Sequence, residues 1–148
     1  MENRIATTIG QSKKLIELGI DVNTADMVYG YIAPYDFSDR MYDGGYDEIP
    51  YIKDFFKVNP NFSENEYDGG LPAWSLSALL ELIPPYLGEF KDGIDFGFSK
   101  AINGKWYSAY YTKFDDNGLA SFNKTVTGDT AIDAAFEMVC WLKENGKI

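Results

Sequence analysis

No histidine occurs in the 148 residues, and Cys140 is the single cysteine. The missing imidazole excludes the serine–histidine and cysteine–histidine pairs that activate many enzymic nucleophiles. Together with the lone thiol, it also excludes the common zinc sites within one chain. An internal disulfide is impossible, which suits a reducing compartment. Basic residues are scarce as well: 13 Lys and Arg stand against 23 Asp and Glu, a net charge of −10. A phosphate-neutralising face for duplex DNA is therefore not expected. No apolar run approaches the roughly 20 residues that cross a bilayer. Met1-Glu2-Asn3-Arg4 leads into polar residues rather than an apolar signal core. The expectation is a cytoplasmic protein without a membrane partner.

What the chain has in quantity is aromatic surface: 11 Tyr, 10 Phe and 3 Trp. Hydrophobic residues at 45% and charged residues at 24% are otherwise ordinary for a globular protein. The length fits a single domain, 1–148, able to bury roughly 70% of its unfolded surface. Ile5, Ile9, Ile16 and Ile20, widened by Leu15 and Leu18, predict a first helix over Arg4 to Leu18 with Gly19 as its C-terminal cap. Met27 to Ala33 reads as a strand closed by Pro34. From about 34 to 70 the regular signal fades into a Tyr/Asp/Gly-rich insertion. It carries two turn-like repeats, Tyr42-Asp43-Gly44-Gly45 and Tyr67-Asp68-Gly69-Gly70, and a possible short helix within Ile49 to Val58.

Ser75 caps a second predicted helix that Pro84-Pro85 stops. Three strands follow: Ile94 to Ile102, Lys105 to Phe114 and Leu119 to Val126. Asn103-Gly104 signals the first hairpin and Asp115-Asp116-Asn117-Gly118 the second turn. Thr130 caps a last helix over Ala131 to Glu144, with Ile132, Ala135, Phe136, Val139 and Leu142 on its buried face. The predicted fold class is α+β, an antiparallel meander of three to four strands packed by two or three helices.

Little in this pattern carries catalysis. Asp115 to Gly118 lacks the alternating oxygen ligands and distant glutamate of a calcium loop, so it reads as a turn. No Walker or dinucleotide fingerprint is present, and Cys140 lies among core positions of a helix. A carboxylate pair acting as acid and base stays open and ranks lowest. No metal or cofactor is expected. The aromatic residues stand out instead. Tyrosines 29, 31, 35, 42, 46, 51 and 67 crowd one polar stretch with Arg40, Lys53 and Lys57 among them. Tyrosine offers rigid stacking area and a hydroxyl, although packing of the insertion onto the core would use the same residues. In the middle meander strand, Trp106, Tyr110 and Phe114 do not exhaust the aromatics. Tyr107 and Tyr111 occupy the opposite parity, so both faces are covered or one is a binding surface. The candidate ligand-binding set is Arg40, Tyr42, Tyr46, Tyr67, Trp74, Lys105, Trp106 and Tyr110, with Arg40 or Lys105 meeting negative charge.

Three segments together carry a resemblance: Ala6-Thr7-Thr8-Ile9 through Asn23-Thr24-Ala25-Asp26-Met27, Leu71-Pro72-Ala73-Trp74 through Ile83-Pro84, and Thr130-Ala131-Ile132-Asp133 through Glu144-Asn145-Gly146. They resemble small uncharacterised proteins of Bacteroides-type phages and mobile elements. More loosely, the arrangement is similar to phage α-β-α sandwich domains. The resemblance implies a phage setting inside a bacterial host cell and no mechanism. The resulting expectation is a non-catalytic binding protein, a sponge for a small nucleotide immune signal. The alternative is an acidic protein-binding inhibitor or DNA mimic acting on a host defence enzyme. Two aromatic faces on one strand further predict a homo-oligomer.

Overall fold

The computed structural model describes residues 4–32, 35–37, 40–42, 45–46, 50–52, 70–88, 94–112, 117 and 122–148; for 31–32, 35–37, 40–42, 45–46 and 51–52 it describes the backbone alone. Helices and antiparallel sheets give an α+β fold, as the sequence pattern predicts. The chain forms two compact units, Ile5–Ala78 and Met1–Arg4 with Leu79–Ile148. Among the described residues no helix is long and apolar enough to cross a membrane.

In the unit Ile5–Ala78, helix α1 spans Ile9–Glu17, starting later than the apolar spacing predicts. Thr8 sets the start through a capping box. Its hydroxyl accepts from the Gln11 backbone N–H at 3.1 Å, and the Gln11 side chain accepts from the Thr8 N–H at 3.0 Å. The residues before it are engaged elsewhere: Ala6 forms an antiparallel bridge with Ser75, and the Thr7 N–H donates to the Trp74 carbonyl at 2.8 Å. Gly19 closes the helix as predicted, at φ 82°. The Ile20 and Gly19 N–H groups return to the Leu15 and Ile16 carbonyls, a Schellman motif.

Strand β1 (Met27–Tyr29) opens a long ribbon where the sequence shows an irregular insertion. Strands β2 (Tyr31–Ile32), β3 (Tyr35–Phe37), β4 (Arg40–Tyr42), β5 (Gly45–Tyr46) and β6 (Tyr51–Ile52) follow. They pair in nested fashion, β3 with β4, β2 with β5 and β1 with β6. The register matches Phe37 with Arg40, Tyr35 with Tyr42 and Tyr31 with Tyr46. Gly45, predicted to lie in a turn, sits in β5 opposite Ile32. Of the stretch 49–58 read as a short helix, Tyr51–Ile52 is strand; 49 and 53–58 lie outside the described residues, as do 43, 44 and 67–69 of the two repeats.

Strand β7 (Leu71–Ala73) completes a three-stranded sheet with β1 in the centre. Gly70 precedes it at a close approach: a Cβ there would fall 2.3 Å from the Tyr29 carbonyl oxygen. Helix α2 (Leu76–Leu82) starts at the predicted cap, the Ala78 N–H donating to the Ser75 hydroxyl at 3.2 Å. Leu15, Val28, Leu71, Ala73 and Trp74 form the core of this unit. Buried polar atoms pair within it: Thr7 and Ser12 share a 2.8 Å bond, and Tyr29 donates to the Thr7 carbonyl.

In the other unit, β8 (Tyr86–Leu87), β9 (Ile94–Lys100), β10 (Trp106–Thr112) and β11 (Phe122–Gly128) make a meander in the order β11-β10-β9-β8. The hairpin between β9 and β10 falls where Asn103-Gly104 places it, but its loop has three residues rather than two. Gly104 at φ 83° donates to the Ala101 carbonyl, and Ala101 donates to Lys105, the pattern of a turn followed by a left-handed glycine. Helix α3 (Ala131–Glu144) matches the predicted span and packs on β10 and β11. Thr130 and Asp133 form its capping box, which Arg4 joins by donating to Thr130 at 3.1 Å and pairing with Asp133. Gly146 at φ 63° ends it in a second Schellman motif, Lys147 N–H to Leu142 carbonyl. Cys140 is buried on this helix.

Candidate functional site

Pairing register sorts the meander into two faces. Trp106, Ser108 and Tyr110 of β10 stand opposite Lys100, Phe98 and Phe96 of β9. This is the helix side: Lys124, the β11 partner of Tyr110, places its Nζ 5.7 Å from the Trp141 ring of α3. Aromatic packing closes it, with Phe98 on Trp106 at 5.3 Å and Phe96 on Tyr110 at 5.5 Å between ring centroids. Tyr110 is fully buried, and its hydroxyl donates to the Pro84 carbonyl at 2.6 Å. Burial pushes its phenol from an ordinary value of 10.0 up to about 12. The Ser108 hydroxyl on the same face is buried and has no partner among the described residues.

The opposite face is built in three cross-strand rows. The first holds Tyr86, Asp95, Tyr111 and Phe122, successive partners across β8, β9, β10 and β11. In the second, Gly97, Ala109 and Thr125 are partners, all small. Ser99, Tyr107 and Thr127 make the third. A row of small side chains between rows of large ones leaves a trough. Tyr107 and Tyr111, four positions apart on one strand, stand roughly 13 Å apart across a floor roughly 10 Å wide. Seven of these residues, joined by Phe98, line a cleft of about 520 Å³, inside the ~300–1,000 Å³ span of small-molecule sites. Gly97 fixes one end of its shape. A Cβ there would lie 2.8 Å from Cε1 of Tyr111, so the tyrosine ring leans over the glycine. Phe122 meets that ring edge-on at 6.4 Å and is itself 67% exposed.

The lining side chains supply ring faces and hydroxyls. None of these eight described residues carries a carboxylate, amine or thiol, so among the described residues the lining offers no strong acid–base pair. Among the described residues no group of three His, Cys, Asp or Glu side chains is placed to hold a metal.

The sequence-derived candidates take other places. Trp74 is fully buried in the unit Ile5–Ala78, its indole N–H donating to Thr24 at 2.9 Å. Trp74 and Tyr110 are thus core side chains with no exposed ring face to offer a ligand. Trp106 lies on the helix side of the sheet, with Lys100 Nζ 5.8 Å from its ring centroid. Lys105 pairs with Asp129 at 3.1 Å on the surface. Arg40, Tyr42 and Tyr46 are placed in the ribbon by backbone register, and Tyr67 lies outside the described residues. What the candidate list missed is the other parity of β10. A signal was available in Tyr107-Ser108-Ala109-Tyr110-Tyr111, where large, small and large alternate at period two.

Comparison with protein-family models, curated proteins and solved structures finds no match to this chain.

Proposed function

We propose that the chain is a non-catalytic binding protein and that the sheet groove holds a flat ring of nucleobase size. One observation carries the reading: Tyr107 and Tyr111 flank a floor of Gly97, Ala109 and Thr125 within a single cleft. Beside the Tyr111 ring, which leans over Gly97, the small side chains of Ala109 and Thr125 let a ring approach the sheet, and the walls supply stacking of roughly 1–3 kcal/mol per base. The Ser99, Thr125 and tyrosine hydroxyls offer hydrogen bonds to ring nitrogens and exocyclic groups. In the phage setting implied by the sequence resemblance, such a protein sequesters a small nucleotide-type signal of its host, the base entering the groove. A second reading, an acidic inhibitor docked on a host defence enzyme, draws on the exposed Phe122 ring and the charge of −10.

A melting scan against nucleobases, nucleosides and nucleotides tests the first reading. Ligand at a hundredfold excess over its Kd stabilises the native state by about 2.7 kcal/mol, and Tyr111→Ala removes the shift. A panel without any shift, alongside a purified host enzyme inhibited by the protein, favours the second. The predicted homo-oligomer, with the meander or the insertion at its contact, is checked by light scattering at high micromolar concentration. A monomer there refutes it.

A further inference from the structure

We infer that two copies of the chain pair through their β11 edges, antiparallel about Thr125, so that their two grooves meet across a shared ladder. The inference goes beyond the ligand proposed above and requires none to be bound. Strand β11 ends the meander, with β10 on one side and, among the described residues, no strand on the other. The hairpin sets which backbone groups turn outward. Ala101 N–H donates to the Lys105 carbonyl, and successive residues of an antiparallel ladder bond alternately to one neighbour and the other. Trp106, Ser108 and Tyr110 therefore bond toward β11, to their partners Gly128, Val126 and Lys124. Thr125 and Thr127, which alternate with these, turn N–H and C=O away from β10, and both residues are exposed.

Sheet edges are ordinarily guarded by short strands, prolines, lysines or bulges. The opposite edge of the meander, β8, has two residues, and the edges of the three-stranded sheet, β6 and β7, have two and three. β11 has seven and contains no proline. Its one charged side chain, Lys124, is drawn over the Trp141 ring on the helix side, and a register shift guards only the Phe122 end. The strand also suits its own copy. Laid antiparallel over its full length, it places its midpoint Thr125 opposite itself, Asn123 opposite Thr127 and Lys124 opposite Val126. No like charges then face each other, and opposed threonines are a favourable cross-strand pair. Such a contact is isologous and closes at two copies. Thr125 also ends the row of small side chains begun by Gly97 and Ala109, so that row runs on into the same row of the second copy. A single added strand buries less than a standard interface, so the dimer forms at high micromolar concentration.

Sedimentation velocity of the full chain tests the contact, in ~0.15 M salt, where repulsion between the acidic copies is screened beyond about 8 Å. A monomer–dimer equilibrium is expected. Thr125→Lys sets two ammonium groups against each other at the axis and should weaken the dimer at least about tenfold. Glu137→Gln makes the same change in net charge at an exposed position on α3 and should leave the dimer intact. Thr125→Cys gives a second measurement that adds no charge to the fold. Opposed Cβ atoms about 4.5–5.5 Å apart lie near the reach of a disulfide, so under mild oxidation covalent dimers should form at least about tenfold faster than in Glu137→Cys. A monomeric wild type at high micromolar concentration, a dimer as tight in Thr125→Lys as in wild type, or equal oxidation rates in the two cysteine variants overturns the inference. The melting scan is read separately: a ligand shift in a monomeric protein retains the binding reading, and a flat scan in a dimer refutes that reading alone.

Discussion

Tyr110 and Tyr111 are neighbours in sequence and opposites in environment, and Tyr110→Phe turns that contrast into a measurable quantity. The Tyr110 phenol is buried, donates to the Pro84 carbonyl and is held neutral up to about pH 12. At pH 8 the substitution removes that bond and leaves a carbonyl without its partner, a loss of about 1 kcal/mol. Raising the pH changes the comparison. In the unfolded chain the phenol ionises near 10, while in the folded chain it stays protonated until about 12. The contribution is thus fully present below pH 10 and is lost as pH rises from 10 to 12. The loss is about 1.4 kcal/mol by pH 11 and about 2.7 kcal/mol once pH passes 12. The remaining tyrosines ionise in both proteins and cancel in the difference. Urea denaturation of wild type and Tyr110→Phe at pH 8, 9, 10 and 11 should therefore show the wild-type advantage shrinking and changing sign near pH 11. A difference that stays constant across this range would refute the placement of Tyr110 in a dry interior.

Three further outcomes follow from packing. Gly97→Ala should weaken ligand binding in the groove and move the melting midpoint little, because the added Cβ meets the edge of the Tyr111 ring, Cε1 at 2.8 Å, rather than backbone; unchanged binding would show that this ring does not shape the groove. Gly128→Ala should destabilise by about 1–3 kcal/mol or more in urea, since its Cβ would fall 2.4 Å from the Ala134 backbone nitrogen at the start of α3. Ser108→Ala removes a buried hydroxyl without a partner among the described residues and should be neutral or stabilising by up to about 1 kcal/mol; a marked loss of stability would reveal a bond to that hydroxyl.

Several elements were legible in the residues for reasons that are local. Thr130 and Gly19 act within one helical turn of themselves, and helix ends follow such contacts. The start of α1 is not legible in the spacing, because Ile5 continues the apolar period past the cap. The structure leaves Ile5 53% exposed, and Thr8 rather than the stripe begins the helix. The ribbon was hidden by composition. Tyrosine, aspartate and glycine read as turn chemistry, yet Tyr35 and Phe37 opposite Tyr42 and Arg40 keep strict period two. At the site, alternation divides the β10 aromatics into two sets but does not say which set meets solvent. That is decided by where α3 lies, a tertiary fact. Trp74 and Tyr110 were drawn into the candidate list by their chemistry, while burial is a property of their neighbours.

The order of strands also sets how each sheet can be assembled in time. In the meander every ladder joins strands adjacent along the chain, so pairing closes only short loops and the sheet is of low contact order. It can zip from the 101–105 hairpin outward. The three-stranded sheet has a different schedule. Its central strand β1 pairs with β6 through the nested ribbon, but its other edge waits for β7, whose Leu71 faces Tyr29 across more than forty residues of sequence. During synthesis Met27–Tyr29 therefore emerges with one edge unsatisfied until Leu71–Ala73 has left the ribosome, and it is this strand, rather than the meander, that a chaperone has most reason to shield.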